Sequence, residues 1–198
     1  RQRGRLTVGI YNDLRPFHDK GAGIEVELAG ALARELGLGV TLLPFNADEN
    51  MNDDLRNMEL IEVDATLACV SNPIGGYEIG SGRWTGIPLA TLLAEAGVQP
   101  SADQVMGCSE SDGFTAGFPI AEAMRPTSIV AIGLGGEPLS DEHGFPARLI
   151  VPGLYGYVSA TKWLTTIRLT TFKDEQGFWI PRGWSALGPA KTGSRIDV

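Results

Sequence analysis

The chain has 198 residues, 43% of them hydrophobic and 20% charged, enough to bury the core of one generous domain or two small ones. Sixteen basic against 24 acidic residues give a formal net charge of -8, which excludes a general nucleic-acid binder, because such a protein needs a basic face for phosphates. A pocket for an anionic ligand is not excluded, since it needs only a few local cations. No apolar run approaches the roughly 20 residues that a bilayer-spanning helix requires. The opening RQRGRLTVGI lacks the apolar core of a secretory leader. Cys69 and Cys108 lie too far apart for a zinc motif and are too few for a disulfide framework.

Residues 6–10 form a short β-rich run, closed by the turn formers Tyr11, Asn12 and Asp13. Ile24, Leu28, Leu32 and Leu36 then recur at four-residue spacing, one face of an amphipathic helix stopped by Gly37 and Gly39. Residues 40–45 read as a second strand. Strand, helix and strand in this order predict a βαβ piece with a parallel pair. The strings LTVGIYND, Arg15-Pro16-Phe17 and GIEVELAGALARELG resemble the start of periplasmic solute-binding proteins of the amino-acid type. That resemblance implies a small polar ligand held around Tyr11, Asn12, Asp13 and Phe17. The residues alone favour a purely structural βαβ unit over a ligand site.

From Glu59 the grammar changes, which sets a domain boundary between 1–58 and 59–198. Residues 60–67 alternate as a strand that ends at Ala68-Cys69-Val70-Ser71-Asn72, and glycines and turn formers follow through Gly82. Residues 88–98 predict a short helix, with Leu89, Leu92, Leu93 and Ala96 on one face and Gly97 as its stop. Short β-rich runs return at 128–132 and 148–151. The rest is rich in Gly, Pro and Trp, so the fold class expected is α+β, with mixed sheets and long loops that carry function.

Four stretches carry candidate chemistry. Cys69, in CVSNPIGG, places a soft sulfur beside a glycine-bearing loop, where a thiolate suits a polarisable metal and glycines admit a bulky cofactor. A lone strand-end cysteine is otherwise a small buried hydrophobe. Arg83-Trp84 offers either cation–π packing or a fixed charge and wall for an oxyanion substrate. His143 and Arg148, five residues apart across Gly144 and Pro146, suit a phosphate and a polar ring system. Ser159, Thr161 and Lys162 follow, with hydroxyls and an ammonium fit for a phosphorylated organic cofactor.

In this order and spacing the motifs resemble the molybdopterin-binding domain of sulfite-oxidase-type oxidoreductases and their bacterial relatives. The resemblance rests on Cys69 and Asn72, Gly82-Arg83-Trp84, LATLLAEAG, Asp112-Gly113-Phe114, residues 119–124, Gly136 to Leu139, His143 to Arg148, Pro152 to Gly156, Lys162-Trp163 and Arg182-Gly183-Trp184. It covers 59–198 and implies a molybdenum enzyme of two-electron oxo transfer, acting on a small oxyanion or sulfoxide-like substrate. Cys69 would ligate the metal, which is otherwise held by the pterin dithiolene. Asn72, His143, Arg148, Ser159, Thr161 and Lys162 would contact the molybdopterin, with Arg83 and Trp84 on the substrate side. Cys108 has no matching role and is read as structural. Gly135 stands where the family usually has Asn. The family's strand ahead of the cysteine segment is replaced here by the solute-binding-like piece. No CxxCH haem motif occurs, so the resemblance implies a separate electron-transfer protein or membrane redox partner. Both resemblances imply a location outside the cytoplasm.

Overall fold

The computed structural model describes residues 58–192 apart from 74, 99, 110 and 111, together with the backbone of residues 5–11 and 39–45. The chain divides into two compact units, 1–58 and 59–198. In the first, β1 (Arg5–Tyr11) and β2 (Gly39–Phe45) pair in parallel, with Val8 opposite Leu42. The helix expected between them, and Asn12, Asp13 and Phe17 of the expected ligand site, lie outside the described residues.

The second unit runs β3 (Ile61–Ala68), β4 (Ile79–Pro88), α1 (Leu89–Ala96), β5 (Gln104–Cys108), β6 (Thr115–Pro119) and α2 (Ile120–Ala123). It continues with β7 (Ile129–Leu134), β8 (Glu137–Pro138), β9 (Arg148–Ile150), α3 (Gly156–Ser159) and β10 (Thr166–Thr170). Five strands form one sheet in the order β3-β4-β7-β8, with β9 also paired to β7, and three form a second in the order β10-β5-β6. Every strand pair in this unit is antiparallel. The unit is therefore sheet-rich, with short helices, and the mixed pairing expected from its sequence gives way to two antiparallel sheets. Its helices are too short to serve as the crossovers that parallel neighbours require.

Local chemistry explains the elements that hold the site. In β3 the alternation places Val63 and Ala65 inward and Glu62, Asp64 and Thr66 outward. β4 (IGSGRWTGIP) reads as a turn-rich run, yet it is a strand because β3 and β7 pair with it on both edges. A Cβ on Gly86 would lie 2.2 Å from the Val130 carbonyl oxygen, at the point where the β4–β7 register shifts, so only glycine fits. Leu89 and Leu93 of α1 are buried, and the Gly97 amide closes the helix on the Leu93 carbonyl at 3.0 Å with φ 83°. The main core gathers Val63, Ala65, Trp84, Ile129, Ala131, Leu139 and Ile150. β5 is buried throughout, and a Cβ on its Gly107 would meet Leu149 at 2.4 Å and Thr161 at 2.9 Å. That close approach seats the second sheet against the strand and loop that carry Arg148 and Lys162.

Candidate active site

The β3–β4 hairpin positions Cys69. Beyond Ala68 the chain leaves the sheet and returns at Ile79, and the loop is closed by its own hydrogen bonds. The Cys69 amide donates to the Glu78 carbonyl at 2.9 Å, and the Asn72 amide donates to the Cys69 carbonyl at 3.2 Å. The Glu78 amide donates to Asn72 Oδ1 at 2.9 Å. A Cβ on Gly76 would fall 2.4 Å from that same oxygen, so the turn is tight around the Asn72 side chain. Cys69 is half-buried, with Sγ 2.9 Å from Ser71 Oγ, and Ser71 Oγ donates to Glu78 Oε2 at 3.1 Å.

Cys69 opens onto a cleft of about 640 Å³. One wall is the hairpin, with Cys69, Glu78, Ile79 and Trp84, and the other is built from His143, Arg148, Lys162, Gly156 and Tyr157, with Trp179 beside them. The walls converge near residue 156, where a Cβ would lie 3.8 Å from the Ala68 carbonyl.

The electrostatics of the cleft are set by Arg148. Its side chain is 6% exposed, donates to the His143 carbonyl at 3.0 Å, and holds its guanidinium carbon 5.0 Å from the centre of the Trp84 ring. No carboxylate pairs with it among the described residues. Burial alone pushes its pKa down to about 10, a desolvation worth roughly 3 kcal/mol. Arg148 Nε and Trp84 Nε1 are both buried with no hydrogen-bond partner. Natural cores rarely leave such groups unmet. Lys162 Nζ donates to the Glu142 carbonyl at 3.1 Å and lies 4.4 Å from the centre of the Trp163 ring. His143 Nδ1 sits 2.8 Å from Ser140 Oγ. Past Lys162 and Ala160 a second pocket of about 310 Å³ opens, lined by Asp112, Phe114 and Trp163. The Phe114 amide and the Ser109 side chain hold the Asp112 carboxyl below its ordinary pKa.

Five of the nine residues expected from sequence thus line one cleft: Cys69, Trp84, His143, Arg148 and Lys162. Four do not. Asn72 structures the cysteine loop. Arg83, one residue from Trp84 on a pleated strand, faces the opposite side and makes a two-pronged ion pair with Asp64 at 2.9 and 3.1 Å. Ser159 and Thr161 are fully buried, donating to the Tyr155 carbonyl at 3.0 Å and the Gly107 carbonyl at 3.4 Å. Sequence reasoning passed over Glu78, Tyr157 and Trp179. Tyr157 lies between two motif stretches, just after Gly156 and before Ser159, whereas Glu78 follows a glycine turn and carries no motif.

With the geometry in place, comparison with known proteins settles the family. Residues 46–179 match the model of the oxidoreductase molybdopterin binding domain, and the chain belongs to that family. The match begins inside the first unit. Mitochondrial sulfite oxidase of Homo sapiens is 30% identical over 168 residues, covering 73% of this chain and 30% of the relative. The uncharacterised oxidoreductase YuiH of Bacillus subtilis is 32% identical over 136 residues, covering 69% of this chain and 65% of the relative. The catalytic subunit of the protein-methionine-sulfoxide reductase MsrP of Gluconobacter oxydans is 32% identical over 131 residues, covering 58% of this chain and 40% of the relative. Among solved structures, the sulfane dehydrogenase SoxCD of Paracoccus pantotrophus superposes with a TM-score of 0.55 at 29% identity, over 60% of this chain and 33% of that one. The chain spans about a third of the length of the sulfite oxidases it matches.

The cofactor of this domain is molybdopterin, and the residues present fit it. A buried cation with no counter-charge suits the phosphate of the pterin, and the orphaned Arg148 Nε and Trp84 Nε1 suit its acceptor atoms. Among the described residues no three His, Cys, Asp or Glu side chains converge. The cleft therefore offers a metal one thiolate, and an organic dithiolene would bring the others.

Proposed function

We propose that this domain carries out molybdenum-dependent two-electron oxo transfer on a small oxyanion or sulfoxide-like substrate, with Cys69 as the protein ligand to the metal. The observation that carries this reading is that Cys69 and the buried Arg148, which has no carboxylate partner among the described residues, line one cleft. When bound, the cofactor supplies the oxo-transfer and electron-storage chemistry. The chain supplies orientation. Arg148 and Lys162 receive the phosphate, and His143, steadied at Nδ1 by Ser140, offers its other ring nitrogen to the cleft. Trp84 forms the floor under Arg148. Asn72 keeps the loop closed so that Cys69 stays aimed. Burial raises the pKa of Tyr157, against an opposing effect of Ser185, and its hydroxyl donates to the Ser185 carbonyl at 2.9 Å.

Ser159 and Thr161 act through the backbone, fixing the turn that presents Lys162, and Arg83 braces the outer face of the hairpin through Asp64. Electrons pass singly to or from a separate electron-transfer protein, and the domain works outside the cytoplasm, a placement that rests on the sequence resemblance. No helix among the described residues is long and apolar enough to cross a membrane. Protein made in a host that synthesises the cofactor should carry molybdenum and pterin in equal amounts to the chain. Finding neither in folded protein from such a host rules the reading out.

A further inference from the structure

The segment that presents Lys162 has an unusual backbone. Among the described residues, Trp163 is the one non-glycine residue with a positive φ, 49°. A bulky side chain avoids this region, so the surroundings must hold it there, and residues held in this way gather at functional sites. The effect shows in the side chains. Neighbours on an extended chain face opposite ways, yet Lys162 and Trp163 both reach one loop. Lys162 Nζ donates to the Glu142 carbonyl at 3.1 Å, and Trp163 Nε1 donates to the Asp141 carbonyl at 2.8 Å. The left-handed turn brings the indole ring round to the ammonium, which lies 4.4 Å from the ring centre.

The loop that receives both side chains is the one that carries His143. Its Gly144 has φ 100°, and a Cβ there would lie 2.8 Å from Lys162 Cβ, so the loop closes directly on the lysine stem. The Trp163 amide donates back to the Gly144 carbonyl at 3.3 Å. His143 and Lys162 are therefore fastened to each other through Trp163 and this loop.

The clamp holds the ammonium without cancelling its charge, since a carbonyl and a ring face are both neutral. Asp112 lines the second pocket together with Lys162 and Trp163, yet no ion pair joins it to Lys162 among the described residues. The Asp112 carboxyl is held low first by the Phe114 amide and the Ser109 side chain, and least by Lys162. A loose lysine, on its flexible stem, would be free to pair with that carboxylate and spend its charge there.

We propose, resting on the reading of Lys162 as a contact to the molybdopterin phosphate, that Trp163 is a positioning residue. Its ring, turned by the left-handed backbone and pinned by the Asp141 carbonyl, holds the Lys162 ammonium off Asp112 and aimed at that phosphate. Trp163 acts through Lys162 and touches no reacting atom.

The test reads Lys162 directly and then reads cofactor retention. The chain has four lysines, Lys20, Lys162, Lys173 and Lys191, so isotope labelling at lysine Cε gives a simple spectrum in which Lys162→Arg identifies one signal. In cofactor-free protein the Lys162 signal should lie upfield, shielded by the indole ring, and Trp163→Leu should return it to the position of the other lysines. In protein from a host that synthesises the cofactor, Trp163→Leu should lower pterin retained per folded chain about tenfold. Trp163→Phe, which keeps a ring face, should keep the shift and recover most of the retention. If wild-type protein holds pterin and Trp163→Leu holds it as firmly, or Trp163→Phe does no better than Trp163→Leu, this inference is overturned and the cofactor reading stands. A Lys162 signal that Trp163→Leu does not move overturns it equally. If wild-type protein from that host holds no pterin, both fall together.

Discussion

The two walls of the cleft are built on opposite principles. The wall from His143 to Lys162 concentrates positive charge and buries it, leaving Arg148 at 6% exposure with two carbonyl contacts and, among the described residues, no carboxylate. The hairpin wall carries one sulfur and one carboxylate, and sends its own arginine, Arg83, to the far side of the sheet. In a protein without ligand the first arrangement is costly, since an unpaired buried charge destabilises the fold. Its retention is intelligible if an anion completes it. The second arrangement costs little and leaves the sulfur addressable. On the proposed reading one wall holds the cofactor and the other meets metal and substrate, so substitutions should separate these two jobs.

The sharpest separation is expected from Cys69→Ser. Turnover should be abolished while pterin is retained on the basic wall, as read by the fluorescence of the oxidised pterin released from the protein. Arg148→Met should do the converse, weakening cofactor retention by roughly 10–100-fold, the worth of a charged hydrogen bond. The same change should leave the melting temperature of the cofactor-free protein unchanged or raised, because it removes a buried cation of similar volume. The sign follows from the pKa. Arg148 is depressed in the folded state to about 10, so its penalty is fully present below that pH and is relieved only as pH rises through it. A calorimetric scan at neutral pH that shows Arg148→Met strongly destabilised would break the comparison. A smaller effect is expected of Asn72→Ala, which removes the acceptor of the Glu78 amide and loosens the cysteine loop by about 1 kcal/mol. It should appear as faster alkylation of Cys69 in the cofactor-free protein. The smallest belongs to Arg83→Ala. Its ion pair is exposed, and molybdenum content and turnover should stay as they are.

What the sequence disclosed and what it hid follow from where the information lies. β3 and α1 were legible because each writes its burial in its own spacing, β7 and β9 because they are short β-rich runs, and Gly97 marks where α1 stops. β4 was not. Its glycines and closing proline signal turns, and it is a strand because partners on both edges demand it, with Gly86 fitted beneath the Val130 carbonyl. The same divide runs through the site. Cys69, His143, Arg148 and Lys162, named from the order of short motifs, line one cleft. The inward turn of Ser159 and Thr161 was hidden, because the backbone around α3 decides it and residue type does not. Arg83 lies outside the cleft lining for a simpler reason. Neighbouring residues on a strand face opposite ways, so Trp84 in the cleft puts Arg83 outside it. Glu78 and Trp179 enter only when the hairpin and the later loops are folded together.

The central claim, that Cys69 is the protein ligand to molybdenum, is most directly tested by X-ray absorption at the molybdenum edge. Wild-type protein and Cys69→Ser, each purified with its pterin, should differ by one sulfur neighbour, which the variant replaces with oxygen. A sulfur shell that is the same in both proteins would contradict the assignment.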